Sequence, residues 1–320
     1  MMCSGGVGSG GALSKKDCVH ALAALGEVDR SWGRMQTDTP STSSAVFAAN
    51  RARGAVAFDV HTRDGITRRG RLHESGSLRV RFPSPEGEGL SAVFVNTAGG
   101  VASGDRFEID VVASEGARLT LTTAAAEKIY RAEGRPAELA ISLKVAPGAR
   151  LGWLPQETIL FDGAKVSRRI DIDVAEGGSL LLCEIVVFGR AAMGERLRHL
   201  SFVDRWRLRC GGKLAFAETV RLFGDQLARS AVAKGAAAVA TALMVPGDQA
   251  LVERIRDAAG GFGSEVGVSA WNGFAMARFC AQDAASLRAD MVALLLRAGG
   301  AALPRLWLNE VVLEAPRDPP

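Results

Sequence analysis

From about residue 54 to residue 224 the sequence reads as one short strand after another. β-branched or alternating stretches such as RFEIDVV, RLTLTT and RIDIDVA are separated by clusters of glycine, proline and aspartate. No helical period of useful length interrupts them, and this combination is typical of an all-β body. The sequence therefore predicts a mainly β fold.

A glycine repeat orders these strands. The turns SEGARL, APGARL, AEGGSL and RCGGKL place Gly116, Gly148, Gly177 and Gly211 at intervals of 32, 29 and 34 residues. A period near 30 indicates stacked β units, each of which buries its apolar face on its neighbour. We therefore predict helically wound, stacked strands in a β-solenoid-like body.

Near residue 238 the sequence pattern changes from strands alone to a mixture of strands and helices. Asp248 and Asp283 are each placed to cap a helix, and GVSAWNGFAMARFC predicts two strands around the turn Asn272-Gly273. We predict a flexible leader over residues 1–44, a β-rich body over residues 45–237 and a small α/β part over residues 238–316.

Glutamates recur after the turns. ETILFDG, EIVVFGR and ETVRLFGD begin with Glu157, Glu184 and Glu218, and Glu127 occupies a similar place in the preceding unit. Stacked units would bring these side chains to equivalent positions in adjacent layers. Such a carboxylate ladder needs cations among it, because like charges at strand spacing raise one another's pKa. The alternative is that the glutamates lie on an outer face and pair with surface arginines.

Composition excludes several classes of protein. The formal net charge is only +4, with Arg68-Arg69 and Arg168-Arg169 as isolated pairs that suit a solvated edge strand, so no nucleic acid is expected. No apolar run reaches the roughly 18 residues of a membrane helix. Five widely spaced cysteines without a CxxC pair are typical of reduced thiols, and we expect a cytoplasmic protein.

The signatures of catalysis are missing from the sequence. It contains no HExxH, Walker A or GxSxG motif, and a GxGxxG at residues 6–11 lacks the strand that a dinucleotide site requires. We therefore expect no catalytic residues and no tightly bound cofactor.

Six separated blocks resemble one known family. They are NTAGGVASGDRF (96–107), LTTAAAEKIYR (121–131), WLPQETILFDGA (153–164), EIVVFGRAAMGE (184–195), DRWRL (204–208) and LPRLW (303–307). Their order and spacing resemble the D-type urease accessory proteins, called H in some organisms, across about residues 50–310.

The resemblance implies a scaffold and no enzyme. Members of this family bind the urease apoprotein and the F-type accessory protein, which recruits a GTPase. Ni²⁺ passes through an internal tunnel of the D-type protein to the urease active site. A conduit of this kind favours carboxylate oxygens, because a cage of histidine and cysteine would hold nickel too tightly to release it.

The tunnel hypothesis assigns roles to the charged residues. Three carboxylates, Glu157, Asp162 and Glu184, are the main candidates for its lining, followed by Glu127 and Glu218. Asp105 is a candidate for the entrance, with capping of its own turn as the alternative. Four further residues are expected to support the wall or neutralise charge: Lys128, Arg131, Arg190 and Glu195.

Two other functions stay open at this point. One is a binding scaffold without a metal path. The other is a β-solenoid glycosidase that uses paired carboxylates such as Glu157 and Asp162. For the conduit, we expect Glu157→Gln to reduce urease activation without preventing assembly.

Overall fold

The computed structural model describes residues 51–83, 89–190, 193–224, 226–229, 232–299 and 303–308. The predictions for the leader and for the glycine motif at residues 6–11 lie outside these described residues.

Within the described residues the chain forms seventeen strands, three α-helices and two 3-10 turns. The strands are β1 (Arg53–Arg63), β2 (Ile66–Gly76), β3 (Leu78–Arg81), β4 (Leu90–Asn96), β5 (Arg106–Ala113), β6 (Arg118–Thr123), β7 (Glu127–Ile129), β8 (Ala137–Val145), β9 (Arg150–Trp153), β10 (Thr158–Leu160), β11 (Ala164–Val174), β12 (Ser179–Phe188), β13 (Leu200–Cys210), β14 (Lys213–Phe223), β15 (Ala238–Val245), β16 (Glu265–Trp271) and β17 (Phe274–Ala281). The helices are α1 (Gln249–Ala259), α2 (Ala284–Ala298) and α3 (Arg305–Leu308), and the 3-10 turns cover Gln226–Ala228 and Ala233–Gly235.

Two sheets face each other, and the chain winds between them. One sheet of the described part has the order β14-β13-β11-β8-β5-β1-β2, and the other has β16-β17-β15-β12-β9-β6-β4-β3, with β7 and β10 attached beside β12. Passing from β5 to β6, from β8 to β9 and from β11 to β12, the chain adds a parallel strand to each sheet on every turn. The prediction of a mainly β, solenoid-like fold is confirmed.

The repeat glycines form a stack of three. Gly116, Gly148 and Gly177 each follow the end of a strand by three residues and adopt positive φ angles of 68°, 68° and 76°. The amide of Gly148 donates to the carbonyl of Gly177 at 3.2 Å. The fourth glycine, Gly211, follows β13 by one residue and belongs to the hairpin that reverses into β14. The repeat therefore covers three turns, and the inclusion of Gly211 was wrong.

The C-terminal elements match their predicted positions. Asp248 accepts a hydrogen bond from the Leu251 amide at 2.8 Å and begins α1, while Asp283 does the same for α2 through the Ser286 amide at 2.7 Å. Both helices cover the outer face of the ten-stranded sheet and form a second apolar core there. Because β15 and β17 extend that same sheet, the boundary at residue 238 stays a prediction.

Candidate functional site

The two faces of β12 meet different surroundings. Glu184, like the alternate neighbours Leu182 and Val186, faces the core between the sheets, whereas Cys183 and Ile185 face the helices. The register pairs Thr158 of β10 with Val186, so Glu157 comes opposite Ile185. Glu157 and Glu184 therefore point to opposite faces of the sheet.

One extra residue causes this reversal. Trp153 pairs with Leu182, and Thr158 pairs with Val186. Thr158 follows Trp153 by five residues, whereas Val186 follows Leu182 by only four. The surplus falls at residues 154–157, which include Pro155, a residue that cannot donate to the ladder. Because side chains alternate along a strand, a surplus of one residue moves every later side chain to the other face.

The predicted ladder of equivalent glutamates is therefore wrong. Glu157 faces the helices, Glu184 faces the inter-sheet core, and Glu218 lies opposite Trp206 in the seven-stranded sheet. Glu127, paired with Thr158, shares the inward face of Val186. Like charges are thus distributed over several places instead of one row.

A buried cluster of ions occupies the space between the sheets. Arg168 of β11 contacts Glu184 of β12 through Nη1, and it contacts Asp204 of β13 through Nε at 3.0 Å and Nη2 at 2.6 Å. The three residues are only 4%, 4% and 6% exposed. A guanidinium that binds two carboxylates this way forms a charge-assisted pair with defined geometry.

Indole groups complete the hydrogen bonds of this cluster. Trp153 Nε1 donates to Glu184 at 2.8 Å, and Trp206 Nε1 donates to Asp204 at 2.9 Å. The ring of Phe202 lies 5.9 Å from the guanidinium carbon of Arg168. Buried charges require such partners, since an unpaired polar group in the interior costs free energy.

A second pair extends the polar interior. Arg278 on β17 of the ten-stranded sheet binds Glu218 on β14 of the other sheet. Together with the first three residues it borders a cavity of about 50 Å³, room for roughly three water molecules. We call Arg168, Glu184, Asp204, Glu218 and Arg278 the interior ion cluster; its three carboxylates and two guanidiniums leave one formal negative charge.

Burial shapes the proton affinity of this cluster. Desolvation raises the pKa of Glu184 above the ordinary carboxyl value, and the charge of Arg168 together with the Trp153 hydrogen bond works against that increase. The carboxylates of Asp204 and Glu184 raise the pKa of Arg168, which stays a cation. A neighbouring cation would compete with Arg168 for the oxygens of Glu184.

Glu127, the first residue of β7, lies half-buried beside residues 97–105, the loop between β4 and β5 that we call the glycine loop. Asn96 Nδ2 donates to its carboxylate at 3.2 Å and 3.3 Å, and burial raises its pKa to about 7. The negative charge of Asp105 adds to that increase. Close to neutral pH, this carboxyl group therefore changes between a neutral and a charged state.

Glu127→Gln should stabilise the folded chain at about pH 8 by roughly 1–3 kcal/mol, because it removes a desolvated charge. With its pKa raised, the folded chain binds more protons than the unfolded chain between about pH 4.5 and pH 7. The free energy of unfolding of the native chain should consequently fall as pH rises through that window. Denaturant unfolding as a function of pH measures both effects, and parallel pH profiles for the two chains would contradict the expectation.

Glu157 anchors the end of the described chain. Its carboxylate binds Nη1 of Arg288 on α2 at 2.7 Å, and Arg288 Nη2 donates to the carbonyl of Leu306 at 2.8 Å. The same guanidinium lies 4.6 Å from the ring of Trp307, whose Nε1 donates to the carbonyl of Leu154 at 2.8 Å. The LPRLW block is thereby fastened to the β body.

The structure accordingly changes the expected result of Glu157→Gln. Loss of the charge on Glu157 weakens the hold on buried Arg288, so the free energy of unfolding should fall by about 1–3 kcal/mol. Limited proteolysis should also release the C-terminal segment faster, and Trp307→Phe should mimic that release. Unchanged unfolding and proteolysis would show that this pair does not anchor the segment.

Four charged residues organise one surface loop: Asp162, Glu195, Arg190 and Arg131. Asp162 accepts hydrogen bonds from the amides of residues 198 and 199 and pairs with Arg131 at 3.0 Å. Glu195 pairs with Arg190 at 3.0 Å, and that hydrogen bond lowers the pKa of Glu195. These four residues thus hold the segment after β12 against the segment after β10, and a role in the tunnel stays a prediction.

Two other predicted residues lie at the glycine loop, Asp105 within it and Lys128 beside it. Asp105 is 4% exposed and accepts hydrogen bonds from the amides of Ala102 at 2.7 Å and Ala52 at 2.9 Å, which is the capping arrangement. Lys128 is exposed on β7, next to Glu127, and its charge lowers the pKa of that neighbour.

Three residues of the interior ion cluster were not predicted from the sequence as site residues: Arg168, Asp204 and Arg278. The interpretation of Arg168 as part of a solvated edge was wrong, because β11 lies inside the seven-stranded sheet. A signal was available, since Arg168 shares the period-2 face of Val166, Ile170 and Ile172, all of which are buried.

Two features are absent from the residues that the structure describes. No group of three or more His, Cys, Asp and Glu side chains there is arranged to hold a metal ion. None of the helices in the described part has the length and apolar character needed to span a membrane.

Comparison with known proteins gives a consistent result. Residues 52–308 match the family described as UreD urease accessory protein. A protein of Bradyrhizobium diazoefficiens named Urease accessory protein UreD is 73% identical over 272 residues, which cover 84% of this chain and 98% of that protein. A protein of the same name from Rhodopseudomonas palustris strain BisB18 is 70% identical over 276 residues, covering 85% and 100%.

Proposed function

This chain belongs to the UreD family of urease accessory proteins, and we propose that it matures urease as the scaffold through which Ni²⁺ reaches the apoenzyme. In this proposal the chain binds the urease apoprotein and the F-type accessory protein, which brings the accessory GTPase. Nickel is the cargo of the chain and does not stay bound to it. We place the assembly in the cytoplasm, where widely spaced cysteines such as Cys183 and Cys210 stay reduced.

The observation that carries the metal path is the interior ion cluster. Its members lie between the two sheets and supply carboxylate oxygens around a cavity of about 50 Å³. One formal negative charge in excess favours a cation over an anion at this place.

The arginines give the cluster the property that a conduit needs. A dicationic metal attracted to Glu184 or Asp204 has to displace Arg168 from the same oxygens. When the metal leaves, the guanidinium binds the carboxylates again, and the buried negative charges regain a cationic partner. Attraction combined with easy release is what a permeation site requires, and nickel bound by a few oxygens exchanges more readily than nickel in a soft cage.

A specific observation favours a second function, that of a protein-binding scaffold without a metal path. Each carboxylate of the interior ion cluster has an arginine partner, so the cluster also fulfils a purely structural role. A glycosidase receives no such support. Glu157 binds Arg288 beneath the helices, and Asp162 binds backbone amides of a surface loop, so the two do not share a groove.

The proposed function is tested by the nickel content of urease from a host that lacks only this chain, with and without its restoration. We expect urease to accumulate as apoprotein without the chain and to gain nickel and activity when the chain returns. Fully metallated urease in the absence of the chain would refute a role in maturation.

A further inference from the structure

One surface of the protein is rich in exposed cations and lies apart from the interior ion cluster. It is built where β7, β10, β11 and β13 begin or end, and we call it the cationic face. Its defining residues are Tyr130, Arg131, Lys165, Arg190, Met193 and His199. Arg131 and His199 contact Asp162, and Tyr130 and Arg190 contact the adjacent Phe161. Lys165 lines the same groove as Arg131, and the Met193 amide donates to the carbonyl of Arg190, so the six residues form one continuous surface.

Basic side chains dominate the exposed part of the cationic face. The side chains of Arg131, Arg190 and His199 are 66%, 46% and 79% exposed, whereas those of Asp162 and Glu195 are only 16% and 15% exposed. The oxygens of Asp162 are occupied by two backbone amides and by Arg131. The acids therefore fix the loop from beneath, and the surface that a partner meets is mainly positive, with Glu133 as an exposed acid.

A groove of about 430 Å³ runs across this face. Arg131, Lys165 and His199 line its sides together with one acid, Glu133, and small residues such as Gly163 and Ala164 form its floor. Two cationic side chains and the imidazole N–H of a histidine around one groove offer separate contacts to several carboxylates. This arrangement suits an extended acidic segment better than a single small anion.

An apolar ledge adjoins the groove. Tyr130 and Phe161 pack edge to face with their centroids 5.2 Å apart, and the guanidinium of Arg190 covers Phe161 at 4.4 Å. Met193 is 74% exposed beside Arg190. A flexible thioether of this kind adapts to an apolar side chain of a partner. Because Arg190 already covers the ring of Phe161, the ledge is a poor platform for stacking nucleobases.

We propose that the cationic face docks an acidic segment of a partner protein, with carboxylates in the groove and one apolar side chain on Met193. Charge complementarity selects this occupant. The proposal deepens the proposed function, on which it rests for the expectation that the chain works bound to other proteins. Binding of this type is steered by charge and weakens with added salt.

The test uses the full chain and a fluorescent synthetic peptide that alternates glutamate pairs with single leucines. Lys165→Glu combined with His199→Glu should weaken binding at least about tenfold, because both substitutions place an acid in the groove. The matched control, Arg68→Glu combined with His73→Glu on β2, likewise replaces one permanent cation and one histidine by acids on another exposed surface and should change the affinity less than about twofold. Met193→Ser should weaken binding about threefold.

Three outcomes would overturn the proposal: no detectable binding of the acidic peptide, equal loss in the groove and control variants, or tighter binding of a single-stranded oligonucleotide. Thermal unfolding of every variant establishes that the chain is folded. Because the assay contains neither urease nor nickel, its failure would leave the restoration experiment unaffected, and a failed restoration would leave peptide binding unaffected.

Discussion

Replacing Arg168 with methionine is expected to lower the free energy of unfolding by about 3–5 kcal/mol, because two buried carboxylates then lose their shared counter-ion. Glu184 and Asp204 are almost fully buried, and their remaining hydrogen bonds come from indole groups. Methionine fills much of the space of arginine, so the loss reports the charge more than a cavity. Denaturant unfolding near neutral pH measures the change.

The adjacent arginine offers a matched control. Arg169 points to the outer face of β11, is 62% exposed and pairs with Asp171, so Arg169→Met should change stability by less than about 0.5 kcal/mol. Adding Glu184→Gln and Asp204→Asn to the Arg168→Met chain should restore part of the stability, since it removes the unpaired charges. Equal effects of the two arginine substitutions would show that the buried pairing contributes little.

Glu184→Gln is expected to reduce the activation of urease by about tenfold or more, with a change in the free energy of unfolding of no more than about 1.5 kcal/mol. Glutamine keeps one oxygen, which can accept from Trp153 or from Arg168 but lacks the charge that attracts a cation, and Arg168 keeps both contacts with Asp204. The measurement is nickel per urease active site after maturation with equal amounts of variant and native chain.

The control for this prediction is Glu138→Gln on β8, which removes an acid that is 63% exposed. It should leave nickel loading within about twofold of the native chain, because an exposed carboxylate has no place in an interior path. Normal loading by the Glu184→Gln chain would favour a scaffold without a metal path. Loss of both loading and partner binding would assign Glu184 a structural role.

Local patterns predicted much of the fold correctly. Period-2 alternation identified the strands, Asp248 and Asp283 marked the two helices, and the turn Asn272-Gly273 marked the last hairpin. These features depend on neighbours a few residues apart, which the sequence displays directly. Six blocks likewise identified the family, since their order is a property of the chain alone.

The candidate site was harder to predict, because it depends on register and on pairing between distant strands. One additional residue at 154–157 sends Glu157 to the helices while Glu184 faces inward. Two equivalent-looking motifs, ETIL and EIVV, conceal that difference, because a bulge has no dependable sequence signal.

What the sequence determined by itself is the composition of the layers: the strands, their glycine turns, the capped helices and the membership of the family. The tertiary structure alone decided which charges meet, because Arg168 reaches Glu184 and Asp204 only where two sheets close on each other. The winding of the chain brings Arg168 to Glu184, which is 16 positions away in the sequence, and to Asp204, which is 36 positions away. Their pairing has a physical cause in burial, which makes an unpaired charge costly and so selects the partner across the core.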